Sequence, residues 1–186
     1  MGHLILAAEA RVQLQLSRLL WVLAAVPPHK VGSTISAVED RLAMLRLAVQ
    51  DEDSFEISMI DIERPGPHFT LDTLRLLSEQ NPGSQMILVI GGDSLHDLSD
   101  WHRPTEVVAA CAEIGVMRRP GDEIDLSALE AKLPGLIAKV RFVDAPLLEI
   151  SSHEIRERVM KNLPFKYYVP LAVHQFIVSH GLYQTA

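Results

Sequence analysis

Cysteine is nearly absent from this 186-residue chain: Cys111 stands alone. No internal disulfide can form. Its flanks, VVAACAEIGV, are apolar. They suit a buried structural thiol better than a nucleophile, which needs an electropositive, partly exposed setting. Basic residues are also in deficit. Lys and Arg total 17 against 24 Asp and Glu, a net charge of −7. That argues against broad nucleic-acid binding, which runs on a basic surface and counterion release. A small anionic ligand is still admitted, because one site can be positive on an acidic protein. No apolar run reaches the roughly 20 residues of a membrane span, and no signal-peptide n-region precedes the first helix pattern. The expectation is a cytoplasmic protein that binds neither nucleic acid nor membrane; a homo-oligomer is compatible with it. Repeats, low-complexity tracts and linkers are missing as well, as are the GxGxxG and P-loop fingerprints. What remains is ordinary globular composition, 48% hydrophobic and 22% charged, and the expectation is one domain spanning 1–186, large enough to bury a core without staples.

Strand and helix patterns alternate along the chain. Apolar residues recur at helical spacing from His3 to Leu20. LLWVLAAV is a continuous apolar strand stopped by Pro27-Pro28. SAVEDRLAMLRLAVQ reads as a helix with Ser36 as N-cap and Glu39 completing a capping box. FEISMIDIE alternates as a strand, RPGPH breaks the chain, and TLDTLRLLSEQ is helical up to Asn81-Pro82-Gly83. QMILVIGGDS is a buried strand running into a glycine loop, TEVVAACA a helix and EIGVMRR a strand. LSALEAKLPGLIAK is amphipathic and VRFVDAP is a strand. SSHEIRERVMKN and PLAVHQFIVSH are helices, with Ser151 and Glu154 in capping-box spacing and Gly181 as a C-terminal stop. The alternation predicts an α/β fold, doubly wound around a mostly parallel, Rossmann-like sheet. Ligands of such sheets bind outside the carboxyl ends of the strands, where loops feed helix N-termini.

Five clusters of polar residues fall at such places. Gly2 and His3 open the first helix; glycine lets a backbone approach a ligand and histidine can donate to an anion beside the positive helix end. In PPHK two prolines stiffen a loop that presents His29 and Lys30. In VIGGDSLHDLSDWHRP, Gly91 and Asp93 follow a strand, and Asp93 can accept from sugar hydroxyls or cap a helix. Trp101 in the same stretch packs inward or stacks on a flat ligand. RRPG places Arg118 and Arg119 after a strand, as phosphate forks or as surface ion pairs. In ISSHEIRERV, free N–H groups, the Ser151 and Ser152 hydroxyls and Arg156 converge one turn into a helix, a phosphate-binding design; an ordinary capped helix explains Ser151 and Glu154 but assigns Arg156 nothing.

In order and spacing these segments resemble the nicotinate-nucleotide adenylyltransferases, members of the HxGH nucleotidyltransferases. That family's pattern opens with a strand and GG(T/S)FDPxHxGH. It continues through PPHK, RxxML, (S/P)-Y-T-x-x-T-L, IGxDS with a nearby Trp, RRPG, ISSTxIR and GLY. This sequence reads GHL, PPHK, RLAMLRLAV, PHFTLDTL, VIGGDSL, DWHRP, VMRRPG, ISSHEIRERV and HGLY in that order. Gly2 and His3 fall on the last positions of HxGH; the first strand and the GG(T/S)FDPxH loop have no counterpart. In that fold the first strand sits in mid-sheet, and each buried backbone group left unpaired costs roughly 1–3 kcal/mol. The expectation is therefore that the start is mis-called or trimmed.

The resemblance implies transfer of the adenylyl group of ATP to nicotinate mononucleotide, with Mg²⁺ accompanying ATP. It implies that His3 and Arg156 are catalytic. Gly2, His3, Gly91, Asp93, Arg118, Ser151, Ser152 and Arg156 would bind ATP. His29, Lys30, Thr70, Trp101 and His102 would bind the mononucleotide, with no protein-held metal. Three departures stand out: His153 for Thr or Ser replaces a small hydroxyl by an imidazole, while Phe69 for Tyr and His102 for an aromatic such as Tyr fall near the implied nicotinate pocket and bear on base preference. The rival readings are nicotinamide mononucleotide as acceptor and a nucleotide-binding fragment without catalysis. PPHK, RRPG and ISS-x-x-IR disfavour a pantetheine-phosphate or cytidylyl transferase.

Overall fold

The computed structural model describes residues 1–25, 36–117, 124–146 and 150–184. The first helix, α1, spans Gly2–Gln13, shorter than the apolar periodicity suggests. Gln15 takes a left-handed φ of 53°, which ends the helix, and Val12 is 69% exposed. Strand β1 (Leu19–Val22) pairs in parallel with β2 (Phe55–Ser58). Helix α2 (Val38–Val49) lies between them in sequence. Its N-cap is Ala37, not Ser36; the Ser36 hydroxyl donates to Tyr183 Oη at 3.0 Å, so the expected capping box does not form. Strand β2 stops sooner than its alternation implies because the backbone turns at Met59, whose carbonyl accepts from Ile62 and Glu63.

Helix α3 (Thr70–Gln80) leads to β3 (Ile87–Gly91). A short helix, α4 (Gly92–His96), and a 3-10 turn (Asp97–Asp100) follow. Then come α5 (Pro104–Ala110), with proline in its first turn, and β4 (Glu113–Met117). The amphipathic stretch after it is two helices, α6 (Leu126–Lys132) and α7 (Leu136–Lys139). Pro134 cannot continue a helix, and Gly135 turns the chain at φ 89°. Strand β5 (Val140–Val143), α8 (Ser152–Met160) and α9 (Leu171–Ser179) complete the order.

All described strand pairs are parallel, in two sheets ordered β1-β2 and β3-β4-β5. The expectation of an α/β, mostly parallel architecture holds. The larger sheet is covered on both faces. One side packs Ile114 and Val116 of β4 against Leu71 and Leu74 of α3, Val107 of α5 and Leu136 of α7. On the other, Leu6 and Ala10 of α1 and Leu14 just after it meet Val143, Val89 and Met117. Full burial of each such aliphatic side chain is worth roughly 1.5–3 kcal/mol. A third cluster joins Val159, Phe165, Val173 and Ile177 to Met44 and Leu47 of α2. Between β1 and β3 a cleft of about 940 Å³ opens, lined by all four residues of β1 and by Ile87, Leu88 and Val89.

Candidate active site

The carboxyl end of β3 delivers the first group of polar residues. Gly91 is the last strand residue and the N-cap of α4. Asp93 is therefore a first-turn residue rather than the cap that the sequence also allowed. Its carboxylate folds back to accept from the Ser94 N–H at 2.9 Å. It also lies so close to Gly91 that a Cβ there would stand 2.5 Å from Oδ1. A side chain at this position would force the Asp93 carboxylate to turn aside. Gly2 is not constrained in this way, since a Cβ would meet nothing within 4 Å.

Gly2 and His3 open α1, and His3 is exposed at the mouth of the cleft. The C-terminal end of this helix is pinned at the sheet. Gln13 Nε2 donates to the Asp144 carbonyl at 2.7 Å, and the Asp144 N–H donates to Gln13 Oε1 at 2.9 Å, directly after β5. Leu14 reaches Gly115 in the middle of β4. Twelve helical residues span about 18 Å. With Leu6 and Ala10 packed toward Val143 and Met117, the Gly2-His3 end projects past the carboxyl edge of the sheet.

Thr70 and His102 belong to a second group. Thr70 is the first residue of α3 and lines the cleft. His102 is exposed, and its ring stacks on Phe69, centroids 4.0 Å apart at 20°. Trp101 is half-buried against the main core, so its packing role is real and only part of its ring is open. The two segments are further tied by Glu106, which accepts from Arg75 of α3 at 2.7 Å and from Arg103 at 2.5 Å. Two of the residues that depart from the family pattern, Phe69 and His102, therefore face each other.

The third group is the start of α8. Ser151 is the N-cap, and its hydroxyl accepts from the Glu154 N–H at 3.0 Å. Ser152 and Arg156 are exposed one turn apart at the start of the helix. Arg158, two residues on, is spent inward: its Nε donates to the Pro164 carbonyl at 2.8 Å and its guanidinium lies 4.5 Å from the centre of the Tyr168 ring. Arg156 makes no such bond among the described residues. The structure gathers Thr70 and His102 on one side and Ser151, Ser152 and Arg156 on another; no extensive packing joins α1 to α8. His29, Lys30 and Arg118 lie outside the described residues.

Sequence reasoning passed over two features. Arg41 donates to the carbonyls of Ala24, Ala25 and Ser36 at 2.6–3.1 Å and so holds both ends of the loop that carries PPHK. Asp61, His68 and Thr73 are the buried polar residues of the described chain, and they form one cluster beside Thr70. The signal available was DIER, an acid three residues before an arginine, in a segment read only as a strand end. Cys111 is 2% exposed, and burial pushes its thiol up to about 11, as its apolar flanks suggested. Among the described residues no three His, Cys, Asp or Glu side chains stand together as a metal site, and no helix is long and apolar enough to cross a membrane.

Residues 1–158 match the family described as cytidylyltransferase-like. A Thermomicrobium roseum protein named "Probable nicotinate-nucleotide adenylyltransferase" is 44% identical over 99% of this chain and 86% of its own length. A Roseiflexus relative of the same name is 43% identical over 98% and 91%. The fold is similar to that of the Plasmodium falciparum nicotinic acid mononucleotide adenylyltransferase complexed with NaAD. The TM-score is 0.76 at 19% identity, covering 98% of this chain and 89% of that one. The same enzyme complexed with APC gives a TM-score of 0.75. With the family match over residues 1–158 and relatives 44% and 43% identical along nearly its whole length, the chain belongs to the cytidylyltransferase-like family and, within it, to the nicotinate-nucleotide adenylyltransferases.

Proposed function

We propose that the chain transfers the adenylyl group of ATP to nicotinate mononucleotide, giving nicotinate adenine dinucleotide and pyrophosphate, a step of NAD biosynthesis in the cytoplasm. The observation that carries this reading is the 44% identity to an adenylyltransferase relative over 99% of the chain. A phosphate oxygen of the mononucleotide bonds to the α-phosphorus while the bond to the β-phosphate oxygen breaks, and pyrophosphate leaves. Catalysis is then positioning plus stabilisation of charge on phosphorus.

In this reading His3 donates to the phosphates at the α1 end. Ser151, Ser152 and Arg156 hold the triphosphate at the start of α8, where free N–H groups and the helix dipole favour an anion. Gly91 and Asp93 meet the ribose, with Arg118 near the adenosine. His29 and Lys30 meet the mononucleotide phosphate. Thr70, His102 and the open edge of Trp101 take the nicotinate carboxylate and ring. Mg²⁺ accompanies ATP in this reading and would neutralise its β- and γ-phosphate oxygens as part of the substrate.

One assay tests the reading: pyrophosphate release from the 186-residue chain with ATP and either mononucleotide. The expected result is turnover with nicotinate mononucleotide and far less with the nicotinamide form, since a carboxylate site rejects an uncharged amide. Equal turnover would move the acceptor to nicotinamide mononucleotide. The rival outcome is ATP binding without turnover, which calorimetric binding in the absence of pyrophosphate release would select.

A further inference from the structure

We propose that Asp61, Arg64 and Thr73 are positioning residues that set the affinity of the acceptor half of this site; the inference rests on the functional reading above. Asp61, His68 and Thr73 are 4%, 6% and 8% exposed. Asp61 Oδ1 accepts from Arg64 Nε at 2.9 Å and from the Thr73 hydroxyl at 2.8 Å. Arg64 Nη2 donates to Thr73 Oγ1 at 3.1 Å, and Nη1 donates to the Pro67 carbonyl at 3.3 Å. The Phe69 carbonyl lies 3.2 Å from Thr73 Oγ1, and His68 Nε2 lies 3.2 Å from the Arg64 carbonyl. The network therefore brackets residues 64–69 from both ends. What emerges from the bracket is Phe69, stacked on His102, and Thr70 at the cleft.

A buried ion pair is a poor device for stability, because desolvation offsets most of its attraction; what it supplies well is one conformation over its alternatives. Here the conformation it selects ends at the two residues that meet His102 and the cleft. A shift of about 1 Å at such a position can cost on the order of a hundredfold in a site that works by placement. Asp61 and Thr73 also border the cleft beside Thr70, but their polar atoms are engaged with each other, with Arg64 and with the Phe69 carbonyl, so the effect is expected as acceptor affinity, with the ATP side left alone.

The test is calorimetric titration of the chain and of D61N, T73V and T73S, with nicotinate mononucleotide and with MgATP separately, alongside thermal melts. D61N and T73V are expected to weaken mononucleotide binding about tenfold or more, with MgATP affinity within about twofold. T73S keeps the hydroxyl and is expected to bind like the unaltered chain. Lower melting temperatures with both affinities unchanged would overturn the proposal, leaving a purely structural role. Parallel loss of both ligands would overturn it too. If D61N does not fold, the T73V and T73S pair decides alone. Should the unaltered chain bind no mononucleotide, the functional reading itself fails and takes the proposal with it.

Discussion

Arg156 and Arg158 differ by two positions in one helix and face opposite fates. Arg158 is tied to the Pro164 carbonyl and the Tyr168 ring, while Arg156 is exposed one turn after the Ser151 cap. Arg156→Ala is therefore expected to leave the melting temperature unchanged and to lower turnover about 10²–10³-fold, the usual loss for one charge-stabilising donor. Arg158→Ala is expected to cost roughly 1 kcal/mol of stability with little effect on turnover. Melts and pyrophosphate release on both variants check this; a shared phenotype would refute the division of labour. Cys111 gives a pH prediction. Burial raises its thiol from the ordinary 9.0 to about 11, so the folded chain keeps a proton that the unfolded chain releases. The stabilisation is complete below pH 9 and is lost as pH rises from 9 to 11. Urea midpoints should fall faster over that window in the unaltered chain than in C111A, and a thiol reagent at pH 8 should label only unfolded protein. The burial of Cys111 was readable from VVAACAEIGV because its neighbours, Glu113 apart, are apolar. Ser36 was misread for a physical reason: a serine before a helix is a cap only if no distant group claims its hydroxyl, and Tyr183, 147 positions away, does.

At the scale of elements, α1 lies across the larger sheet where β4 has no side chain. A Cβ at Gly115 would stand 2.5 Å from Leu14 Cδ1 and 3.7 Å from Val89 Cγ2. Gly115→Ala is expected to destabilise by about 1–3 kcal/mol, as overpacking does. Leu14→Ala should recover part of that loss in the double variant. A double-mutant cycle from denaturant midpoints measures it, and strict additivity would show that the helix and β4 do not press on each other. The sequence announced both elements, because EIGVM is apolar and α1 is periodic. It did not announce their contact, which depends on where α1 crosses the sheet. The break between α6 and α7 was in plain view as Leu133-Pro134-Gly135, yet amphipathic spacing on both sides hid it. Lys139 also escaped notice: its ammonium donates to the carbonyls of Val108, Ala109 and Cys111 and so closes the end of α5, a long-range cap with no local signature.

Across the whole molecule, the two sheets face each other over an open cleft. All four residues of β1 and three of β3 line it, and among the described residues neither strand pairs on that side. The Trp21 indole N–H, also on the cleft, is buried with no acceptor among the described residues. Strand order in a sheet follows from pairing partners, so the alternation of elements could foretell parallel strands without foretelling this division. A strand bonded on one side sends every second amide toward its partner and the others away. In β1, hydrogen exchange should therefore alternate between slow and fast residues, whereas β4, paired on both sides with Ile114 and Val116 fully buried, should be slow throughout. Helices α1 and α3 flank the cleft through Leu6, Ala7, Leu74 and Leu77, so apolar side chains stand beside two strand edges that have no ladder partner among the described residues. An apolar, extended segment of about five residues, supplied as a separate peptide, is expected to slow the fast amides of β1 and β3 and to raise stability against unfolding by roughly 1 kcal/mol per hydrogen bond gained. A scrambled peptide containing proline, which cannot donate to a ladder, should leave the exchange unchanged. Uniformly slow exchange in β1 before any addition would mean that the two edges already have partners in solution and that the cleft is closed.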